Sequence, residues 1–227
     1  MILSDVMEDY LKAIYHLQED GEGERVGTSE IADALEVTSP TVTSMIEKLE
    51  ERGLVDREKY RGVTLTEQGE RVALEVVRHH RLLEAYLTEH LDYDWSEVHD
   101  EADRLEHHIS EDFEARLAAA LDDPDVDPHG SPIPGEDLEP PGDRAGQPLA
   151  EREEGDRVAV TEVDDRDPEV LAYLADHGVE PETTLLVEEV APFGMVTVHV
   201  EGVDGAVSLP ERVARTVRVR SLAQVES

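Results

Sequence analysis

The hydrophobic repeat changes period partway along the chain, and seven prolines stand at the change. Through residue 121 apolar side chains recur at helical spacing, as with Val6, Tyr10, Ala13, Ile14 and Leu17. From residue 157 onwards "RVAVTEVD", "TLLVEEV", "MVTVHVEG" and "VRVRSL" alternate apolar and polar residues. Between them, residues 123–156 carry prolines 124, 128, 132, 134, 140, 141 and 148, which exclude both a helix interior and a central strand. The chain must therefore fold as a helical part, a linker ordered in part at "DPHGSPIPG", and a separate β part. About five short strands and one helix near "PEVLAYLADHG" fit a small barrel.

Charge sets the weight of every other clue. The 227 residues carry 56 Asp and Glu against 20 Lys and Arg, a formal charge of −36, and only Lys12, Lys48 and Lys59 are lysines. Such self-repulsion is tolerable where salt screens it within a few ångströms, so a folded protein adapted to a salt-rich cytoplasm is expected, of the kind found in halophilic archaea. With acid this common, a single carboxylate says little, whereas histidine points better. Six of the ten histidines lie between residues 79 and 108. The absence of cysteine removes disulfides, thiolate metal sites and cysteine nucleophiles. The N-terminus lacks the basic and apolar regions of a signal peptide, and no apolar run reaches a membrane span of roughly 18 residues, so a cytoplasmic protein without membrane contact is expected.

Residues 28–66 read as helix, short turn, helix and hairpin, the winged helix-turn-helix pattern. Thr28 or Ser29 can cap the first of these helices, "SEIADALEV". Pro40 suits the opening turn of the next, and Gly53 its end. That second helix offers Ser39, Pro40, Thr41, Thr43 and Ser44 in its early turns, small enough for close approach to base edges and phosphates, followed by Lys48. The hairpin "REKYRG", with Lys59 and Arg61, would be the wing. Residues 40–65 hold five basic and five acidic side chains, a neutral island in an acidic chain. The bland alternative is a helix-turn-helix used only for packing.

A long helix is expected over 67–91, and two more over about 95–109 and 111–121. His99, Asp103, Glu106 and His107 then fall at i, i+4, i+7 and i+8 on one face, and His80 and Glu84 at i and i+4 on the preceding helix. Helical His and carboxylate pairs of this spacing present metal ligands in bundles. An oxygen and imidazole set suits Mn²⁺ or Fe²⁺, and accepts Zn²⁺, Co²⁺ or Ni²⁺. The competing reading is a solvated acidic face, to which His79, His90 and His108 are assigned.

The ordered series of "MEDYLKAIY", the winged helix-turn-helix, "HHRLLEAYL", "VHDEADRLEHHIS" and "DPHGSPIPG" resembles the diphtheria toxin repressor family of metal-dependent transcriptional regulators. The β-rich tail resembles the SH3-like, ferrous-transport accessory domain of its iron branch. The resemblance implies a mainly α fold: a winged helix-turn-helix at 1–70, a helical metal-binding and dimerisation domain at 71–135, a linker at 136–153 and an SH3-like β-barrel at 154–224. It implies a primary metal site of Asp9, Asp103, Glu106 and His107, and an ancillary site of His80, Glu84 and His99 with Glu169 added from the barrel. Two sites per subunit for Mn²⁺ or Fe²⁺ are implied as well. So are a homodimer, for which Leu105, Ile109, Phe113, Leu117 and Leu121 supply a face, and a palindromic double-stranded DNA operator at genes of metal uptake and homeostasis. Carboxylates at Asp9 and Asp103 replace the Met and Cys of the iron branch, which shifts preference towards Mn²⁺. Lys12 stands where the manganese branch has Glu, three residues from Asp9, and opposes a second cation there.

Two other classes remain open. A metal-independent winged-helix regulator would bind DNA in the presence of chelator. A carboxylate and histidine metalloenzyme would need an open coordination position beside an acid or base, and the sequence shows no nucleophile motif or phosphate loop.

Overall fold

A computed structural model describes residues 3–21, 25–141, 146–192 and 194–222. It divides into two compact units. The first comprises Met1–His80, Leu105–Ser110 and Pro134–Pro140; the second comprises Arg81–Arg104, Glu111–Ile133 and Pro141–Ser227. The helical region expected at 71–135 is thus shared between them. Residues 142–145 of the expected linker lie outside the described residues.

In the first unit, α1 (Asp5–Asp20) buries Met7, Tyr10, Leu11, Ile14 and Tyr15. α2 (Thr28–Ala34) is capped at Gly27 rather than Thr28 or Ser29: the Gly27 N–H donates to the Glu30 carboxylate at 2.6 Å, which satisfies an orphan donor from the third helical position. α3 (Ser39–Glu51) has Pro40 in its first turn, and Gly53 follows it at φ 71°, as the sequence predicts. Val42, Ile46 and Leu49, spaced i, i+4 and i+7, turn inwards and join Leu11, Ile14, Ile31 and Val63 in one core. β1 (Val55–Glu58) and β2 (Gly62–Leu65) form the antiparallel wing, with Tyr60 at its tip at φ 68°. Val26 pairs with Val63 to lengthen it. α4 (Glu67–Leu91) begins in this unit and continues into the second.

In the second unit, α5 (His99–Leu105) is much shorter than the helix expected over 95–109. Asp94 delays its start by accepting from both the N–H and the hydroxyl of Ser96, the local alternative to a helix that Asp offers. α6 (Glu111–Ala120) buries Leu117 and Ala118, and Ala118 with Leu121 packs on Leu82, Ala85 and Ile133. Of the residues expected to supply a dimer face, Leu117 and Leu121 are buried within the chain, while Phe113 stays 46% exposed.

The β part is a six-stranded antiparallel sheet of order β3-β8-β4-β5-β6-β7. Its strands are β3 (Gln147–Pro148), β4 (Arg157–Val163), β5 (Thr184–Val190), β6 (Val196–Val200), β7 (Ala206–Leu209) and β8 (Val217–Ser221). Helix α7 (Pro168–Asp176) separates β4 from β5, and a single turn, α8 (Glu211–Ala214), separates β7 from β8. Asp167 caps α7 by accepting from the N–H groups of Glu169 and Val170. Alternate valines and leucines of β4–β8 fill a core closed by Val170, Leu171 and Leu174.

A turn between α6 and β3 is joined to this sheet. Its segment 127–131 folds back on itself: Asp127 Oδ1 accepts from His129 N at 2.8 Å and Ser131 N at 2.9 Å. The N–H of Val163 on β4 then donates to His129 O at 2.9 Å. Gly130 makes this approach possible. It sits at φ 85°, and a Cβ there would collide with the carbonyl oxygen of Thr161. Replacing Gly130 by Ala is expected to destabilise the second unit by about 2 kcal/mol through backbone strain. That corresponds to a fall of roughly 4–8 °C in its thermal midpoint. Calorimetry in molar KCl checks this, and an unchanged midpoint would show that the loop can part from β4 without cost.

Candidate metal centre

Within the first unit, α1 and the turn after α5 build one cluster. The buried stripe of α1 leaves Glu8 and Asp9 at its edge, facing the turn that carries Glu106 and His107. His107 Nδ1 lies 2.8 Å from Glu8 Oε2, and Nε2 lies 2.8 Å from Asp9 Oδ1. Glu106 Oε1 is 3.4 Å from the same Nε2. The hydrogen bond to Asp9 is the main reason that the imidazole is pushed up to about 9; burial opposes it, and Glu8 and the charge of Glu106 add to it. The imidazole thus sits among three carboxylates that favour positive charge there. Ligand atoms of Asp9, Glu106 and His107 all lie within 4.8 Å of one another. Two carboxylates and an imidazole without sulfur fit a hard to borderline divalent cation.

Glu106 is 2% exposed, and its other oxygen is occupied. Oε2 accepts from Lys12 Nζ at 2.7 Å and lies 2.6 Å from His80 Nδ1. Burial opposes ionisation of Glu106, but His80 and Lys12 outweigh it and hold the carboxyl below its usual range. His79 lies 3.1 Å from the Glu106 carbonyl through Nδ1. It is buried, not the surface histidine expected, and it steadies the turn. His90 and His108 are exposed, as expected.

A second cluster lies within the second unit. His99 Nδ1 is 3.3 Å from Glu84 Oε1 and 3.2 Å from Asp165 Oδ2. His129 Nδ1 is 3.5 Å from Glu84 Oε2, 3.7 Å from Asp165 Oδ2 and 4.0 Å from Asp127 Oδ1. Glu84, Asp127 and His129 are all buried. The ring of His129 is held from behind, with Nε2 2.7 Å from the Trp95 carbonyl oxygen. That leaves Nδ1, which has no hydrogen-bond partner among the described residues, aimed at the three carboxylates. Orientation of one ring nitrogen by a backbone carbonyl is how metal-ligating histidines are fixed.

The electrostatics of this cluster are those of crowded acid. Burial and the Glu84 charge push Asp127 up to about 7, against the pull of Arg81 3.6 Å away. Burial opposes protonation of His129, yet Glu84, Asp165 and Asp127 raise it to about 9. Burial likewise opposes ionisation of Asp165, while the hydrogen bond from His99 and the charge of His129 hold it well below the carboxylate range. Three carboxylates and two imidazoles crowd one place, and a divalent cation suits that donor set.

The structure divides the expected site residues between the two clusters. Asp9, Glu106 and His107 come together, with Glu106 and His107 in the turn beyond α5 rather than on a helix face. Asp103 is on α5 in the second unit, where its carboxylate is 3.5 Å from His99 Nε2. His80 lies against Glu106 and Lys12, while Glu84 and His99 come together in the second cluster. Glu169 is exposed on the first turn of α7, its N–H bonded to Asp167; Asp165, four residues earlier, is the barrel carboxylate beside His99. Sequence reasoning does not single out Glu8, Asp127, His129 or Asp165. Histidine's scarcity marks His129, which stands inside "DPHGSPIPG"; nothing distinguishes the two aspartates among 56 acids.

The residues expected to meet nucleic acid lie on α3 and the wing. Ser39, Pro40, Thr41, Ser44 and Lys48 are exposed, opposite the inward Val42, Ile46 and Leu49, and Thr43 is half-buried. The Thr43 hydroxyl donates to Ser39 O. Lys59 lies over the ring of Tyr60, its Nζ 5.1 Å from the ring centre, and Tyr60 is 93% exposed. Arg61 pairs with Glu58, and Arg57 with Glu47.

Among the described residues no helix is long and apolar enough to cross a membrane. Three family profiles match in order: the N-terminal DNA binding domain of iron dependent repressors over 2–63, their metal binding and dimerisation domain over 66–135, and the FeoA domain over 147–221. The iron-dependent repressor IdeR of Mycobacterium tuberculosis is 38% identical over 97% of this chain and 99% of its own length. The diphtheria toxin repressor of Corynebacterium diphtheriae is 33% identical over 97% and 99%. Among solved structures, a manganese-dependent transcriptional repressor in complex with manganese is 40% identical, with TM-score 0.85 over 95% of this chain and 100% of that one. ScaR with bound Zn²⁺ is 31% identical, with TM-score 0.82 over 95% and 99%. Two nitrogen and oxygen clusters, an exposed reading helix and these likenesses lead to one conclusion: the chain belongs to the diphtheria toxin repressor family of metal-dependent transcriptional regulators, and is a DNA-binding repressor of metal homeostasis rather than an enzyme.

Proposed function

We propose that this repressor works in the cytoplasm as a homodimer on a palindromic operator, and that its DNA affinity is set by Mn²⁺ or Fe²⁺ at two centres per subunit: Asp9, Glu106 and His107 in one, and Glu84, His99, Asp127, His129 and Asp165 in the other. The observation that carries this reading is the grip of His107 on α1. Glu8 and Asp9 stand on one face of α1, while Leu11 and Ile14 on its other face share a core with Val42, Ile46 and Leu49 of α3. A rigid helix packed in this way transmits whatever fixes Asp9 to the exposed face of α3.

A divalent cation bound there would supply two positive charges where the free protein holds one proton, and would thereby favour the conformation in which Asp9, Glu106 and His107 converge. The chain's own residues do the rest. Glu8 orients the imidazole through Nδ1, His79 steadies the turn, and Asp127 and Trp95 hold His129 ready in the second centre. Fixing α3 in each subunit sets the separation of two reading helices, which must match half-sites about 34 Å apart. Carboxylate-rich, sulfur-free donor sets in both centres favour Mn²⁺.

His107→Ala is expected to leave the fold and the dimer intact while abolishing metal-stimulated operator binding. The stimulation lost is of the order of 5–150-fold, the usual span of coupling between two sites. Fluorescence anisotropy with labelled operator in molar KCl, with and without Mn²⁺, measures it. An unchanged response would reject the centre, and equal binding by the parent protein in EDTA would favour a metal-independent regulator.

His129→Ala is expected to lower bound Mn²⁺ from two ions per chain to one, counted by equilibrium dialysis at constant salt. Retention of two ions would remove His129 and its neighbours from the ligand set.

A further inference from the structure

We propose that the wing meets double-stranded DNA through the exposed ring of Tyr60, while Glu58 holds Arg25 and Arg61 back from the phosphates. The wing's grip on DNA then persists as salt rises. This role stands apart from the metal response and from both metal centres.

Lys59, Tyr60 and Arg61 make the turn between the paired residues Glu58 and Gly62, and the Arg61 N–H closes it by donating to Glu58 O at 3.0 Å. Tyr60 is 93% exposed at the tip, so the fold gains almost nothing from burying its ring. It also sits at φ 68°, in the left-handed region where glycine or asparagine stands with less strain. Strained residues gather where a chain meets a ligand. The match to a DNA binding domain runs over residues 2–63 and takes in the whole turn. The Lys59 ammonium lies over the ring, 5.1 Å from its centre, so one charge and a flat aromatic surface are offered together. Such a surface packs on bases and sugars of any sequence, and that contact releases no counterions.

The arginines beside the tip are engaged already. Arg61 Nη1 is 3.1 Å from Glu58 Oε1 and 3.3 Å from Oε2, and Arg25 Nε is 3.3 Å from that same Oε2. Arg25 is fixed on β1 as well, its Nη1 donating to Asp56 O at 3.1 Å. A carboxylate spreads one negative charge over two oxygens, as a backbone phosphodiester does, so Glu58 fills the place on two guanidiniums that a phosphate would take. Exposed pairs of this kind are weak one by one. An arriving phosphate must nevertheless displace a like charge and leave it close by.

Magnitudes show what this arrangement avoids. If Arg25 and Arg61 each met a phosphate, a dimer would neutralise four more, and a threefold change in salt would alter affinity about 50-fold. That rivals the 5–150-fold span typical of coupling between an effector and a second site. A wing that holds DNA by an aromatic ring leaves metal rather than salt in control.

The experiment uses the full chain with saturating Mn²⁺ and a fluorescein-labelled duplex recovered from random-sequence DNA by selection with the parent protein. Fluorescence anisotropy gives the affinity from about 0.5 to 2 M KCl, where the slope of log affinity against log salt counts the phosphates neutralised. Tyr60→Ala is expected to lose at least about tenfold at every salt concentration, with the slope unchanged. Tyr60→Asn, which suits the left-handed backbone better, is expected to melt no lower than the parent and yet to lose as much affinity for DNA. Tyr60→Phe is expected to bind as the parent does, since the ring alone makes the contact. Glu58→Gln, which removes the competing charge, is expected to steepen the slope by about 0.9 for each phosphate gained. Full affinity in Tyr60→Ala or Tyr60→Asn overturns the proposal. So does a loss that fades as salt rises, which would make Tyr60 a mere support for the charge of Lys59. An unchanged slope in Glu58→Gln overturns it too, because the arginines would then be no less available in the parent. All arms share one metal concentration, so the outcome holds whether or not Mn²⁺ stimulates binding, and failure of the metal centres shows separately in His107→Ala.

Discussion

The functional architecture depends on one imidazole held between carboxylates. His107 has Glu8 and Asp9 at its two ring nitrogens, each 2.8 Å away, and Glu106 beside it. Without this contact Glu8 and Asp9 of α1 would face Glu106 as like charges, with Lys12 alone to offset them. In the free protein a proton on the ring offsets that repulsion, and the raised basicity of His107 expresses how strongly the carboxylates want a positive charge there. The preference is for charge rather than for a proton as such, which is why the same arrangement can respond to a cation.

The second cluster obeys the same rule with a different scaffold. Glu84 and His99 come from helices, Asp127 and His129 from a turn closed by the Asp127 carboxylate, and Asp165 from just beyond β4. The N–H of Val163 donating to His129 O ties that turn to β4, so the position of Asp165 and the position of His129 are set together. The barrel is therefore built into this cluster through backbone hydrogen bonds as well as through the Asp165 carboxylate. Five ionisable groups within a few ångströms would be an expensive arrangement for stability alone, since buried carboxylates repay their desolvation poorly without a cation.

How far the sequence reveals this differs by residue. α4 is legible because apolar residues recur at helical spacing along much of its 25 residues, and α3 because Pro40 and Gly53 mark its ends. The early stop of α5 is not, because the polar and apolar pattern runs on through Glu106 and His107 although the backbone leaves the helix at Leu105. β7 escapes notice because four residues, "AVSL", are too few to display alternation. The first centre emerges for Glu106 and His107 from helical spacing, and for Asp9 from family likeness. The second emerges only in part: spacing finds Glu84 and His99, while Asp127, His129 and Asp165 are brought in by turn geometry and by sheet pairing between residues far apart in the chain. Glu169 shows the limit of carrying a position over by resemblance, since a shift of four residues exchanges a cluster member for a helix-cap neighbour.

The same charge balance constrains how the protein reads DNA. A chain of −36 gains little from general attraction to a polyanion, and at molar salt the release of counterions from phosphates contributes little affinity. The wing's arginines are already paired within the protein, Arg57 with Glu47 and Arg61 with Glu58, so they offer less net charge than their number implies. What remains is a face of small hydroxyls and Pro40 on α3, which can approach bases closely, and the spacing between two such faces in a dimer. Contacts of that kind are short-ranged and demand accurate placement. A repressor that cannot rely on charge to gather DNA must rely on geometry, and a geometry governed by one cation-bridged helix is a direct means of making repression depend on metal.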